Sequence, residues 1–140
     1  VAGHFYVEIL MKYFAAALFA TLTLAGPAKA QDWQYLYATM LGPNDFVNSS
    51  GARLGTLCAI VQQDRANYHR FGRREQNDGG DPFFTTSEAR ARIPDMCRLA
   101  DGYEYIRRDV LNGTPRYVGV LGRFGANGRL RAILITEGAG

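Results

Sequence analysis

Residues 61–81, VQQDRANYHRFGRREQNDGGD, hold most of the side chains whose types and spacing could do chemistry. Asp64 and His69 are the candidate catalytic residues, since a carboxylate and an imidazole can act as general base and acid. Asp64 lies three residues after Val61 and four before Tyr68, which places it at the edge of an apolar helical stripe. A carboxylate there is either structural or a general base in a cleft. We expect the structural role, because ion pairs outnumber active sites.

His69 is the only histidine after residue 30. It lies five residues from Asp64, so a helix separates the two side chains by more than about 100°. A catalytic dyad would therefore need a partner brought in by folding, for which the candidates are Asp45, Asp78 and Glu104. A lone histidine near a helix C-terminus most often interacts with the helix dipole. No GxSxG, HExxH or P-loop pattern is present, so a hydrolase is the alternative and not the leading hypothesis.

The arginines of this segment offer a route to binding. Grouped arginines can grip a carboxylate or phosphate with forked hydrogen bonds. We predict a binding surface formed by Arg70, Arg73 and Arg74, at the end of a helix and in the loop after it. Acidic residues follow at once in the chain, so pairing of these arginines within the protein is the competing interpretation and the one that we favour.

The same loop contains the only candidate metal ligands, Asn77, Asp78 and Asp81, whose hard oxygens suit calcium. The pattern lacks the alternating acidic positions and the closing glutamate of an EF-hand loop. A solvated turn is the favoured interpretation and a weak calcium site the alternative. We expect no metal and no other cofactor.

Cys58 and Cys97 are the only cysteines. In an exported chain an even number of cysteines predicts a disulfide. Closing a loop of about 40 residues contributes roughly 4 kcal/mol on the chain-entropy model. A metal-binding or reactive pair is disfavoured, because there is no CxxC spacing and no histidine within a turn of either residue.

Residues 11–31, MKYFAAALFATLTLAGPAKAQ, have the parts of a secretory signal peptide: Lys12, an apolar run and the small-x-small site Ala28-Lys29-Ala30. The apolar run of about 13 residues is shorter than the roughly 20 that span a membrane. We therefore interpret 11–30 as a cleaved signal peptide, and 1–10 as a spurious or disordered extension. The product is expected to be periplasmic or secreted, with no membrane anchor after cleavage.

Residues 31–140 then form a single small domain. It contains fourteen arginines and no lysine, against twelve acidic residues, which leaves a net charge of +2. So small a charge gives no indication of nucleic-acid binding.

Hydrophobic spacing predicts two or three helices between an N-terminal strand and a C-terminal hairpin. The first helix covers about 56–71 and ends at Gly72. The second begins at a capping box with Thr85 as N-cap and runs toward Gly102, interrupted by Pro94 and including Cys97. Residues 103–111 fit a helix or a strand, and we favour the helix. The strands are residues 32–41, 116–124 and 129–136.

This order predicts an α+β fold, with a small antiparallel sheet, the inserted helices on one face and one disulfide. Our leading hypothesis is a small exported bacterial protein that acts as a non-catalytic binding or accessory module. Its partner would be an unknown envelope protein or small ligand. The alternatives are a hydrolase using Asp64 and His69, a weak calcium-binding loop, and a structural or envelope-stress protein, which these residues do not distinguish.

Overall fold

Residues 32–139, the part of the chain described by this computed structural model, contain four β-strands and four α-helices joined by turns and loops. The strands are β1 (Gln34–Leu41), β2 (Cys97–Leu99), β3 (Arg116–Phe124) and β4 (Leu130–Glu137). The helices are α1 (Leu57–Ala66), α2 (Ser87–Ala91), α3 (Ile93–Met96) and α4 (Glu104–Leu111). The predicted extension and signal peptide, 1–10 and 11–30, lie outside the described residues.

The sheet has the strand order β1-β3-β4-β2. Strand β3 pairs antiparallel with both β1 and β4, whereas β2 runs parallel to β4. The predicted α+β fold, in which the N-terminal strand joins the C-terminal hairpin, is therefore confirmed. The parallel strand β2 was not predicted, because three residues are too few to show an alternating pattern. The expectation that Cys97 is helical is wrong, since this residue begins β2.

The predicted first helix is confirmed as α1 followed by a π-helical turn, Asn67–Phe71. The Thr56 hydroxyl caps its start by accepting a hydrogen bond from the Ala59 N–H, 3.1 Å away. Gly72 ends it in the left-handed conformation, with φ 63°, which glycine adopts without strain. In the π turn each backbone hydrogen bond spans one more residue than in an α-helix, so the residues after it are rotated relative to an ideal α-helix.

Pro94 divides the second helical segment into α2 and α3, as predicted, but α3 ends at Met96 instead of continuing toward Gly102. The N-cap of α2 is Thr86, one residue later than predicted, and its hydroxyl accepts a hydrogen bond from the Ala89 N–H. The ambiguous segment 103–111 forms α4, which confirms the choice of a helix.

The core lies between the helices and one face of the sheet. Inward-facing residues of β3 and β4 are fully buried and pack with the apolar faces of α1 and α4, for example Val120, Ile135, Ile60 and Ile106. The predicted disulfide is confirmed, with the Cα atoms of Cys58 and Cys97 5.8 Å apart. It links the first turn of α1 to the edge strand β2, and so ties the helical layer to the sheet. No helix within residues 32–139 is long and apolar enough to cross a membrane.

Candidate functional site

Arg65 is the centre of a buried polar cluster that joins α1 to β1 and to the loop formed by residues 72–86. Its side chain is completely buried. Nε donates to the Asp64 carboxylate at 2.7 Å, and Nη1 donates to the Asp81 carboxylate at 2.8 Å and the Gly79 carbonyl at 2.9 Å. Nη2 donates to the Thr39 hydroxyl at 3.0 Å. The guanidinium is thus held on three sides by different segments of the chain.

Two tyrosine rings flank this guanidinium. The ring centroids of Tyr37 and Tyr68 lie 4.1 Å and 4.8 Å from Arg65 Cζ, within the range of cation–π attraction. Burial raises the pKa of the Tyr37 hydroxyl well above its ordinary value, so this phenol stays protonated at neutral pH. The rings exclude water from the cluster and strengthen its ionic contacts.

Asp64, the first candidate catalytic residue, is committed to this cluster. Its Oδ1 accepts a hydrogen bond from the Thr39 hydroxyl at 2.9 Å, and its Oδ2 accepts from Arg65. Only 1% of Asp64 is exposed. Burial raises the pKa of the carboxyl, and the neighbouring Arg65 charge opposes that rise. A group so enclosed neutralises Arg65 but meets no substrate without local unfolding.

His69, the second candidate, does not contact Asp64. Its Nε2 lies 2.9 Å from Asp81 Oδ2, the oxygen that also accepts from Arg65. The partner from another segment is therefore Asp81, and not Asp45, Asp78 or Glu104. Burial alone would raise the pKa of Asp81, but hydrogen bonds from His69, Arg65 and the Phe84 N–H hold it below its ordinary value. The His69 side chain is 11% exposed.

Two of the three candidate metal ligands form hydrogen bonds within the protein. Asp78 Oδ1 accepts from the Met40 N–H at 3.0 Å, and its Oδ2 accepts from the Glu75 N–H at 2.7 Å. Asp81 binds Arg65 and His69, while Asn77 is exposed at a turn with φ 73°. No three His, Cys, Asp or Glu side chains in residues 32–139 are arranged to hold a metal ion. The two aspartates instead attach the 72–86 loop to β1 and α1.

Two adjoining cavities open along the exposed side of α1. The first, of about 310 Å³, lies between α1, α2 and the segment around Asn48; the second, of about 190 Å³, lies beside the π turn. Asn48 and Gln63 line both cavities. We call the residues lining the two cavities the α1 groove. Neither Asp64 nor His69 is among them.

Two of the three predicted binding arginines line the α1 groove. Arg70 lines the first cavity and Arg73 the second. Arg74 lies elsewhere, with its guanidinium 3.9 Å from the ring centroid of Tyr68. Within the described part of the chain, no carboxylate lies within 4.0 Å of a nitrogen of Arg70 or Arg73. The expected pairing with the acidic residues of the loop is therefore not seen for these two arginines.

Arg90 of α2 is the groove residue that the sequence did not reveal. It is 7% exposed and lines the first cavity. Its Nη1 donates to the carbonyls of Phe84 and Thr85, each at 3.0 Å. Among the described residues its Nε and Nη2 have no partner, and neither atom is among those buried away from solvent. In the sequence, Arg90 looks like any exposed arginine of a short amphipathic helix.

Comparison of this chain with known protein families, with curated proteins and with solved structures finds no match. The residues themselves define a disulfide-linked α+β domain with a buried ionic cluster inside and an arginine-lined groove outside. No aspartate or glutamate is among the residues that line the groove.

Proposed function

We propose that this chain is an exported, non-catalytic binding module that holds its partner in the α1 groove. One observation carries the proposal: Arg70, Arg73 and Arg90 line the groove, and no acidic side chain lines it with them. None of the three forms an ion pair with a carboxylate of the described residues, so each guanidinium retains donors for charge-assisted hydrogen bonds to a ligand. Such a surface attracts anionic groups and repels cationic ones.

The hydrolase alternative receives less support from the geometry. The His69–Asp81 contact at 2.9 Å is the one feature in its favour. Against it, Asp81 is also bound by Arg65 and by two backbone N–H groups, and Asp64 is buried. These bonds stabilise the ionised aspartate, and they fit a structural role for the whole cluster. The calcium alternative is weakened because Asp78 and Asp81 already use their oxygens within the protein.

Export is supported by the leader-like residues 11–30 together with the disulfide. A disulfide between α1 and β2 forms readily in the periplasm or outside the cell, where thiols are oxidised. We therefore propose one of these compartments as its location. Mass spectrometry of the exported protein should find Gln31 at its N-terminus, and an intact leader would overturn this part of the proposal.

The binding proposal is tested by site-specific photo-crosslinking in cells that make the protein. A benzophenone amino acid replaces Gln62 in the groove. In a second protein, which serves as a control, it replaces the exposed Glu88, which does not line the groove. We expect a crosslinked adduct from position 62 that is lost in an Arg70→Ala/Arg73→Ala variant. The matched control, Arg129→Ala/Arg131→Ala, removes two exposed arginines that do not line the groove and should retain the adduct. An adduct that survives loss of Arg70 and Arg73 would refute the proposal.

A further inference from the structure

We propose that the α1 groove recognises a carboxylate-bearing sugar, with Arg90 as a fixed carboxylate receptor and Arg70 as a second, exposed cation. This inference rests on the proposed binding function and specifies its ligand. The ligand is a uronic acid, free or as a residue of an acidic polysaccharide.

Arg90 is fixed before any ligand arrives. Its two bonds to the Phe84 and Thr85 carbonyls both use Nη1, so the guanidinium is held from one end. The Nε–H and one Nη2–H are parallel donors on the opposite edge, and this fork matches the two oxygens of a carboxylate. Because the side chain is 7% exposed and already ordered, binding costs little additional rotamer entropy.

The rest of the first cavity offers many polar groups for hydroxyls. Gln62, Gln63 and Ser87 line it together with Asn48. The Asn48 Oδ1 already accepts three hydrogen bonds from Ser50 and Ala52, which fixes the side chain and leaves its amide N–H groups for a ligand. Side-chain amides and hydroxyls both donate and accept, as the hydroxyl groups of a sugar require.

Small apolar residues complete the cavity: Ala59, Ala66 and Ala91 lie among the polar groups. They provide a shallow surface for the C–H face of a pyranose ring. The volume of about 310 Å³ is at the small end of the range for ligand sites, roughly 300–1,000 Å³. A monosaccharide unit therefore fits the cavity better than a large cofactor does.

An acidic peptide fits the groove less well. Extended peptides are usually bound by a free sheet edge, and acidic motifs by clusters of arginines. An acidic motif would use Arg70 and Arg90 but would leave the side-chain amides and the hydroxyl of the first cavity without a partner. The α1 groove is lined by residues of helices and loops and by none of a β-strand. The observations thus favour a sugar acid, and the peptide becomes an outcome of the test.

Calorimetric titration of the exported, disulfide-bonded protein tests the inference with four probes. These are trigalacturonate, its methyl ester with every carboxylate neutralised, triglutamate and inorganic phosphate. We expect trigalacturonate to bind and the ester to bind at least about tenfold more weakly, because a charge-assisted hydrogen-bonded contact is lost. Tighter binding of triglutamate or of phosphate, or equal binding of the ester, would overturn the sugar-acid assignment.

Variants locate the contact. Arg90→Lys keeps the charge but removes the fork, and Arg70→Gln changes an exposed residue that forms no ion pair with a carboxylate of the described residues. Each substitution should weaken the binding of trigalacturonate at least about tenfold, whereas Arg129→Gln should leave its affinity unchanged. Circular dichroism melting shows whether the Arg90 variant is folded, and the Arg70 variant decides the matter if it is not.

If trigalacturonate does not bind while the photo-crosslink at position 62 still depends on Arg70 and Arg73, this inference fails and the binding function stands. If the crosslink is also independent of them, both fail.

Discussion

Replacing Glu75 with glutamine should stabilise the protein at neutral and alkaline pH, because this residue forms a buried acid pair with Asp45. Asp45 is 2% exposed, and its carboxylate accepts hydrogen bonds from the Gly42 N–H at 3.0 Å and from Asn67 Nδ2 at 2.8 Å. Both carboxyl oxygens of Glu75 are buried, and neither has a hydrogen-bond partner of good geometry within the described residues. A Cβ added to Gly42 would overlap Glu75 Oε1, so the acid packs directly on this glycine.

Two buried carboxyl groups in contact favour sharing one proton. Burial raises the pKa of Asp45 from 3.8 to about 7; bonds from Gly42 and Asn67 oppose the rise, and Glu75 adds to it. Burial likewise raises the pKa of Glu75; the neighbouring Asp45 carboxyl and the Asn44 backbone oppose the rise, and the negative charges of Asp78 and Asp64 add to it. The folded state therefore holds a proton that the unfolded chain releases at lower pH.

The sign of the pH effect follows from a folded pKa that exceeds the unfolded one. The contribution of the bound proton to the free energy of unfolding is fully present below about pH 4 and is lost progressively as the pH rises to about 7. A difference of about three units between the folded and unfolded pKa values corresponds to an upper limit of about 4 kcal/mol in the free energy of unfolding. In Glu75→Gln the introduced amide donates to the ionised Asp45 without needing the proton. A charge-assisted bond of this kind is worth about 1.5–3 kcal/mol.

The assay is urea unfolding between pH 4 and pH 9, with the disulfide intact, followed by fluorescence of Trp33, the only tryptophan. We expect the free energy of unfolding of Glu75→Gln to exceed that of the wild type by about 1–3 kcal/mol at pH 8 and to depend less on pH above pH 5. The control is Glu88→Gln, an exposed glutamate, which should change stability by no more than about 0.5 kcal/mol. A Glu75→Gln variant that is less stable at pH 8, or equally sensitive to pH, would refute the shared-proton reasoning.

Three further predictions concern the cluster and the disulfide. Arg65→Met should lower the free energy of unfolding by about 3–5 kcal/mol in urea titrations, because Asp64 and Asp81 are left buried without their cation; a loss below about 1 kcal/mol would contradict the role of Arg65. Asp81→Asn should destabilise more at pH 7 than at pH 3, since a lowered folded pKa contributes stability above the unfolded value that is lost as the pH falls; equal losses in melting experiments at both pH values would count against it. A Cys58→Ser/Cys97→Ser variant should lose about 2–4 kcal/mol, and reduction of the wild type should lower its melting temperature similarly, whereas reductant should not affect the variant.

Most of the secondary structure could be predicted because it depends on local, periodic patterns. The alternation of Arg116–Phe124 and the helical stripe of Leu57–Ala66 each run through at least two periods, so their types are fixed by spacing. Strand β2 could not be predicted, since its three residues pair with β4 only after the chain has crossed the molecule. The predicted helical position of Cys97 is wrong for the same reason, whereas the predicted disulfide with Cys58 is confirmed.

The site was less predictable, because it depends on which charges folding takes inside. Arg65 belongs to a run of polar residues, and nothing in its neighbours distinguishes it from Arg70. Its burial is decided by Thr39 and Asp81, which lie 26 and 16 residues away in the chain. Arg90 was missed because its anchors are main-chain carbonyls, which leave no trace in side-chain composition.

The distribution of carboxylates explains why arginines remain available in the groove. The sequence places Glu75, Asp78 and Asp81 just after Arg70 and Arg73, which favours pairing between them. Folding turns all three acids away from these arginines: Asp81 neutralises Arg65, Asp78 accepts backbone N–H groups, and Glu75 joins the acid pair. Each of these acids anchors the 72–86 loop, so releasing one to pair with a groove arginine would cost a buried contact. The stability of the loop and the electropositive character of the groove therefore have the same cause. Variants that detach the loop, such as Asp78→Ala, should weaken anion binding without touching a groove residue.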